Sequence, residues 1–188
     1  VFFNGNTTAA GIVTANGFVG NGSGLTGLPS SGGLQSITEV ETGYRRADAN
    51  ATNYGDIGEG AVDLSFSGSP SSILGATGLN STAMGLVTTA SGLYSTAMGY
   101  ATEASGIASI AMGFSTDASG HYSTAMGDGT TANNDFSTAM GQATNANGIA
   151  STAMGVRTTA SGTVSTAMGE NTTASDYGSV VIGRYNSA

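Results

Sequence analysis

A five-residue block, Ser-Thr-Ala-Met-Gly, returns every 14 residues from Ser81 onward. Copies begin at Ser81, Ser95, Ser109, Ser123, Ser137, Ser151 and Ser165, the third with Ile110 in the threonine place. A diverged copy, Ser-Val-Val-Ile-Gly, begins at Ser179. All seven methionines of the chain occupy the fourth place of the block: Met84, Met98, Met112, Met126, Met140, Met154 and Met168, with Ile182 in the last copy. A fixed period with fixed side chains makes each repeat one coil stacked on the one before.

Fourteen residues are too few for a helical repeat, whose units exceed about 30 residues. The repeats are also poor in leucine, lysine and glutamate, the usual helix formers. Two strands of about five residues and two short turns account for the period, which predicts an all-β, two-sided parallel roll climbing ~4.8 Å per coil. Alternation along the block puts Thr82 and Met84 on one face and Ser81, Ala83 and Gly85 on the other. The tiny face suits a thin interior, which Ala90 and its equivalents fill from the second strand. The methionine face needs another cover, because a long apolar stripe left in water marks an interface. A symmetric oligomer is the simplest one.

Two further columns follow the block. Thr88, Thr102, Thr116, Thr130, Thr144, Thr158 and Thr172 form one, with room to lie on the surface. The other holds Gly92, Gly106, Gly120, Gly148 and Gly162, replaced by Asn134 and Asp176 in two coils. Asn and Asp tolerate positive φ best after glycine, so this column is expected to be a left-handed turn position.

Before the repeats the chain changes character twice. Residues 1–33 are rich in Gly, Asn, Ser and Thr, with Asn16-Gly17 and Asn21-Gly22 as hairpin-type turns. They read as a fibre segment ending in a linker from Pro29 to Gly33. Residues 34–73 concentrate the charges and lack the period, in the place where a solenoid needs a cap over its first open edge. Residues 74–188 are the roll. The chain opens at Val1 and stops inside a coil, and is read as a piece of a longer fibrous protein.

Composition excludes several functions. The net charge of -8, with no lysine, opposes nucleic acid and anionic membranes, which reward basic patches. Cysteine is absent, so disulfides and thiolate metal sites are absent too. His121 is the single histidine, at a variable repeat position, and no nucleophile elbow occurs. No catalytic, cofactor or metal residues are assigned, and the chain is read as no enzyme. Gly22-Ser-Gly-Leu-Thr-Gly27 fits a dinucleotide pattern but precedes Leu28-Pro29 rather than a helix, so it carries no nucleotide role. Asp48, Asn50, Thr52, Asp56 and Glu59 fall in a calcium-loop register, yet Asn53 stands where that loop needs glycine. A structural loop is the first reading and calcium the second.

The repeated block, with Ser179-Val-Val-Ile-Gly183 as its most literal copy, resembles the YadA-like head repeats of trimeric autotransporter adhesins. The resemblance covers about 74–188. It implies a left-handed parallel β-roll wound as a homotrimer, at the tip of a fibre on the bacterial outer membrane. It places the methionine column and Ile182 in the trimer core. The implied function is adhesion to host cells, matrix or glycans, with no nucleic acid partner and no membrane contact in this segment. Residues 16–28 resemble phage tail-fibre segments, which leaves a virion receptor-binding fibre as the alternative. A structural spacer is a second alternative, and a threonine-based ice-binding solenoid a remote third. Recognition is expected at variable positions, where Tyr94, Tyr100, Phe114, Tyr122 and Phe136 supply an aromatic, weakly charged surface. Packing between subunits is the competing role for these rings.

Overall fold

The structure is a computed structural model that describes residues 34–38 and 42–188. The hairpin-type turns near Asn16 and Asn21, the linker and the Gly22–Gly27 pattern lie outside the described residues.

The chain opens with β1 (Leu34–Thr38) paired antiparallel to β2 (Thr42–Arg46). From β2 on, every pairing is parallel. Tyr44 of β2 faces Val62 of β3 (Val62–Phe66), which faces Thr82 of β5 (Thr82–Leu86), which faces Thr96 of the next coil. Two irregular coils therefore precede the 14-residue ones. Long strands such as Thr96–Tyr100 and Thr124–Asp128 continue one 11-stranded sheet. Two-residue strands, from β4 (Gly75–Ala76) through Thr89–Ala90 to Thr173–Ala174, stack as an opposing 8-stranded sheet. The result is the expected all-β parallel solenoid, with a second strand of two residues where five were expected.

The interior is as thin as the block predicts. Ala83, Ala97, Ala125 and their equivalents are fully buried, facing Ala90, Ala104 and Ala132 from the short strands. An alanine core buries little apolar area per coil, so backbone hydrogen bonding carries much of the cohesion. Thr82 N donates to Ser95 O (2.9 Å) and Thr89 N to Thr102 O (2.9 Å), binding each coil to the next. The corners are tied as well: Val87 N reaches Phe66 O (2.9 Å), and Tyr94 N reaches Leu79 O (2.9 Å).

Two expectations about columns are corrected. The left-handed residues are not the Gly92 column. They are Tyr94 (φ 60), Tyr122 (φ 58) and Phe136 (φ 61) at one corner, and Val87 (φ 57) and Ala101 (φ 50) at the other. At the first corner Ser95 N bonds Gly92 O (3.1 Å), so glycine opens the turn and tyrosine takes its third, positive-φ place. Gly92 is glycine for space instead. A Cβ there would meet the carbonyl oxygen of Gly106 in the next coil. The second correction concerns the Thr88 column, which is buried throughout. The left-handed residue at 87 rotates the chain, so residues 88 and 90 both face inward.

The first irregular coil is held by side chains. Arg45 Nε bonds Asp63 Oδ2 (3.0 Å) and Arg45 Nη2 bonds Gly55 O (2.8 Å), with the guanidinium 4.7 Å from the Tyr54 ring. Both ions are almost fully buried. Asp63 Oδ1 accepts from Ser65 N (3.0 Å) and Ser65 Oγ (2.5 Å). Ala51–Asn53 forms a single 3₁₀ turn, capped by Asn50 Oδ1 accepting from Thr52 N (3.2 Å).

Candidate recognition surfaces

Three outward columns run along the long-strand sheet. The first contains Thr82, Thr96, Ile110 and Thr124; the second is the methionine ladder; the third starts Phe66, Leu86, Tyr100, Phe114 and continues Asp128, Gln142. Met84 is 36% exposed, Met98 37% and Ile182 62%; the other methionines are half-buried by their neighbours along the ladder. The long apolar column is therefore on the outside of the roll, and none of the other described residues covers it.

The rings of the expected recognition surface sort into two places. Tyr100 and Phe114 stack on the long-strand face, centroids 5.1 Å apart and planes 10° apart. Tyr122 and Phe136 stack at the corner preceding each Ser, 5.3 Å and 6° apart, and Tyr94 belongs to that same corner column. Parallel in-register pairing is the cause of both stacks, since it repeats one side-chain direction at every strand spacing. Beside the corner stack, His121 Nδ1 accepts from Ile107 N (3.0 Å), and His121 N donates to Asp135 Oδ1 (3.0 Å). The ring is thereby set in the tautomer with its proton on Nε2. Sequence reasoning alone gives His121 no role beyond a bland surface residue. Its location one repeat from Asp135 and beside Tyr122 is the signal that marks it.

The calcium-loop register does not converge. Asp48 gives its two oxygens to Arg46 (3.0 and 2.6 Å), and that guanidinium holds the Asp48 carboxyl below its ordinary range. Asp48 and Asn50 line one groove of about 160 Å³. Asp56 lines another of about 430 Å³, with Ile73, Thr77 and Glu103, and Glu59 borders a third, with Tyr44 and Leu79. Among the described residues, no three His, Cys, Asp or Glu side chains are grouped to hold a metal ion.

Burial of the Thr88 column removes it as an ice-facing array. The neighbouring column, Thr89, Thr131, Thr159 and Thr173, has its first member buried and is interrupted by Glu103, Asp117 and Asn145. Among the described residues, no helix is long and apolar enough to cross a membrane.

A parallel β-solenoid with an alanine interior and an outward ladder of methionines closed by Ile182 defines the class as a β-solenoid repeat protein. The family model described as YadA head domain repeat matches residues 76–102, 90–116, 104–130, 118–144, 146–163 and 160–186. The chain belongs to the YadA head repeat family. No curated protein matches it in a sequence comparison.

Proposed function

We propose that this chain forms the head of a homotrimeric adhesive fibre on a bacterial outer surface, with no catalytic role. One observation carries the reading: the methionine column holds a large apolar side chain in all eight repeats, seven methionines and Ile182, although it faces out of the roll. Within one chain, an outward position is free to vary, and the columns that vary here do face outward. A constant outward column is constrained by something outside the chain, and three copies meeting on a common axis supply that constraint. Met84 through Met168 and Ile182 then form the trimer core. Methionine suits the place, because its unbranched thioether fills irregular space. Residues 34–73 act as the cap of the roll, and residues 1–33 as a fibre segment and linker. The variable outward rings meet the extracellular ligand, and three copies per head add avidity.

The test is the solution mass of the purified chain. Light scattering is expected to give three times the 18.3 kDa chain mass. Met126→Asp is expected to reduce it to one chain mass, since three carboxylates would meet on the axis. A monomeric parent, or a Met126→Asp variant of unchanged mass, refutes the assignment.

A further inference from the structure

We infer that Ala108 is the floor of a slot that takes one neutral pyranose ring between the faces of Tyr94 and Tyr122. The inference deepens the adhesive reading above by giving the ligand a chemical class.

The corner column runs Asn80, Tyr94, Ala108, Tyr122, Phe136, Ala150, Val164. All seven have φ between 52 and 61, so the backbone sends each side chain off in the same direction. In Tyr122 and Phe136 the outcome is two rings stacked face to face along the fibre axis. At Ala108 one rung of that ladder is missing. The rings on either side stand two coils apart, about 9.6 Å at one strand spacing per coil. Subtracting about 3.5 Å for the ring contact thickness leaves roughly 6 Å. That is the thickness of one saturated six-membered ring with its axial hydrogens, between the Tyr94 and Tyr122 side chains. Both walls are open to solvent, Tyr94 at 55% and Tyr122 at 57%.

Polar groups sit at the rim. His121 reaches up to the N–H of Ile107, the residue before Ala108, and keeps its proton on Nε2 as a donor. The two phenol hydroxyls donate or accept. Apolar faces with a few polar groups at the edge describe a sugar site. The charge distribution narrows the class. The net charge of -8 disfavours sialylated or sulfated rings. A cationic guest needs a carboxylate at the slot, whereas Asp135 belongs to the Phe136 rung, with one oxygen accepting from His121 N. The second gap, at Ala150, has a ring on one side only, since Val164 forms its other wall.

The experiment is saturation-transfer NMR on the purified chain with methyl β-glucopyranoside, methyl β-galactopyranoside and methyl α-mannopyranoside. At least one is expected to receive saturation at its ring C–H protons. Ala108→Phe is expected to abolish the transfer, Ala150→Phe to leave it intact, and Tyr94→Ala to weaken binding about 5- to 10-fold. Both phenylalanine variants should fold, because Phe136 already occupies this column. No transfer to any of the three glycosides, or equal transfer in Ala108→Phe, overturns the slot. Light scattering on the same samples separates the two readings. A trimer without transfer refutes the slot and leaves the fibre head. A monomer with Ala108→Phe-sensitive transfer refutes the trimer and leaves the slot.

Discussion

Gly127 and Gly129 lie two residues apart in one coil, and replacing each with alanine should have very different consequences. Gly127 ends the block, with φ 129, and a Cβ there would meet the carbonyl oxygen of Gly141 and lie 2.9 Å from its carbonyl carbon. Those atoms belong to the backbone of the next coil, which the ladder holds, so no side chain can swing aside. An alanine forced into that conformation costs about 1–3 kcal/mol. Prising the coils apart adds about 1–3 kcal/mol of overpacking. The sum is about 2–6 kcal/mol per chain. Gly129 has φ 60 and nothing within 4 Å of its Cβ position. Ala101 and Ala143 already occupy its column at φ 50 and 52. There the left-handed penalty of about 1–2 kcal/mol is partly offset by the less flexible unfolded chain, by about 0.4–1 kcal/mol. Guanidinium unfolding followed by circular dichroism should show a large drop in midpoint for Gly127→Ala and a small one for Gly129→Ala. Hydrogen exchange should place the Gly127→Ala loss at the strands on either side of the altered coil, because a solenoid fails locally. Equal destabilisation by the two variants would refute the claim that the block glycine, with φ 129 and the next coil's carbonyl at its Cβ position, is held more tightly than a glycine in an open left-handed turn.

Thr144 is fully buried and its hydroxyl has no hydrogen-bond partner, so Thr144→Val should stabilise the chain by about 1 kcal/mol; a loss of stability in denaturant would show that the hydroxyl is bonded. Asp63→Leu strands the buried Arg45 and should cost about 3–5 kcal/mol, whereas Arg45→Met with Asp63→Leu should recover most of it, as read by thermal unfolding. Val164 is a β-branched residue at φ 59, so Val164→Asn should gain about 1 kcal/mol in the same assay.

Much of the architecture is readable from the repeat because period and alternation act together. The period specifies stacked coils, and alternation within the block separates Ala83 from Met84. The corners are less legible. Glycine serves two physical needs, a positive φ or the absence of a Cβ, and a column of glycines looks the same in either case. Gly92 answers to space, while positive φ falls on Tyr94 and Val87, bulky residues held there by hydrogen bonds to the preceding coil. The Thr88 column escapes the pattern for a related reason. Alternation counted through a left-handed residue loses its phase, and the sequence does not announce where that residue is. The invariance of Thr88 to Thr172 is the better guide, since invariant short side chains mark the interior throughout this chain.

Invariance has a different meaning at each kind of position. Ala83, Ala90 and Thr88 are constant because opposing strands leave them no room, so a single chain accounts for them. The methionine column stays large and apolar from Met84 to Ile182 while facing outward, and the proposed trimer axis would account for that. The corner preceding each Ser is constant in backbone and free in side chain, as Tyr94, Ala108, Phe136 and Gly178 show. Such a position can exchange an aromatic wall for an alanine floor without disturbing the hydrogen bonds that hold the coil. Recognition built there can change its ligand while the roll and its outward ladder stay the same. That separation explains how a chain of nearly identical coils presents a surface that differs from one coil to the next.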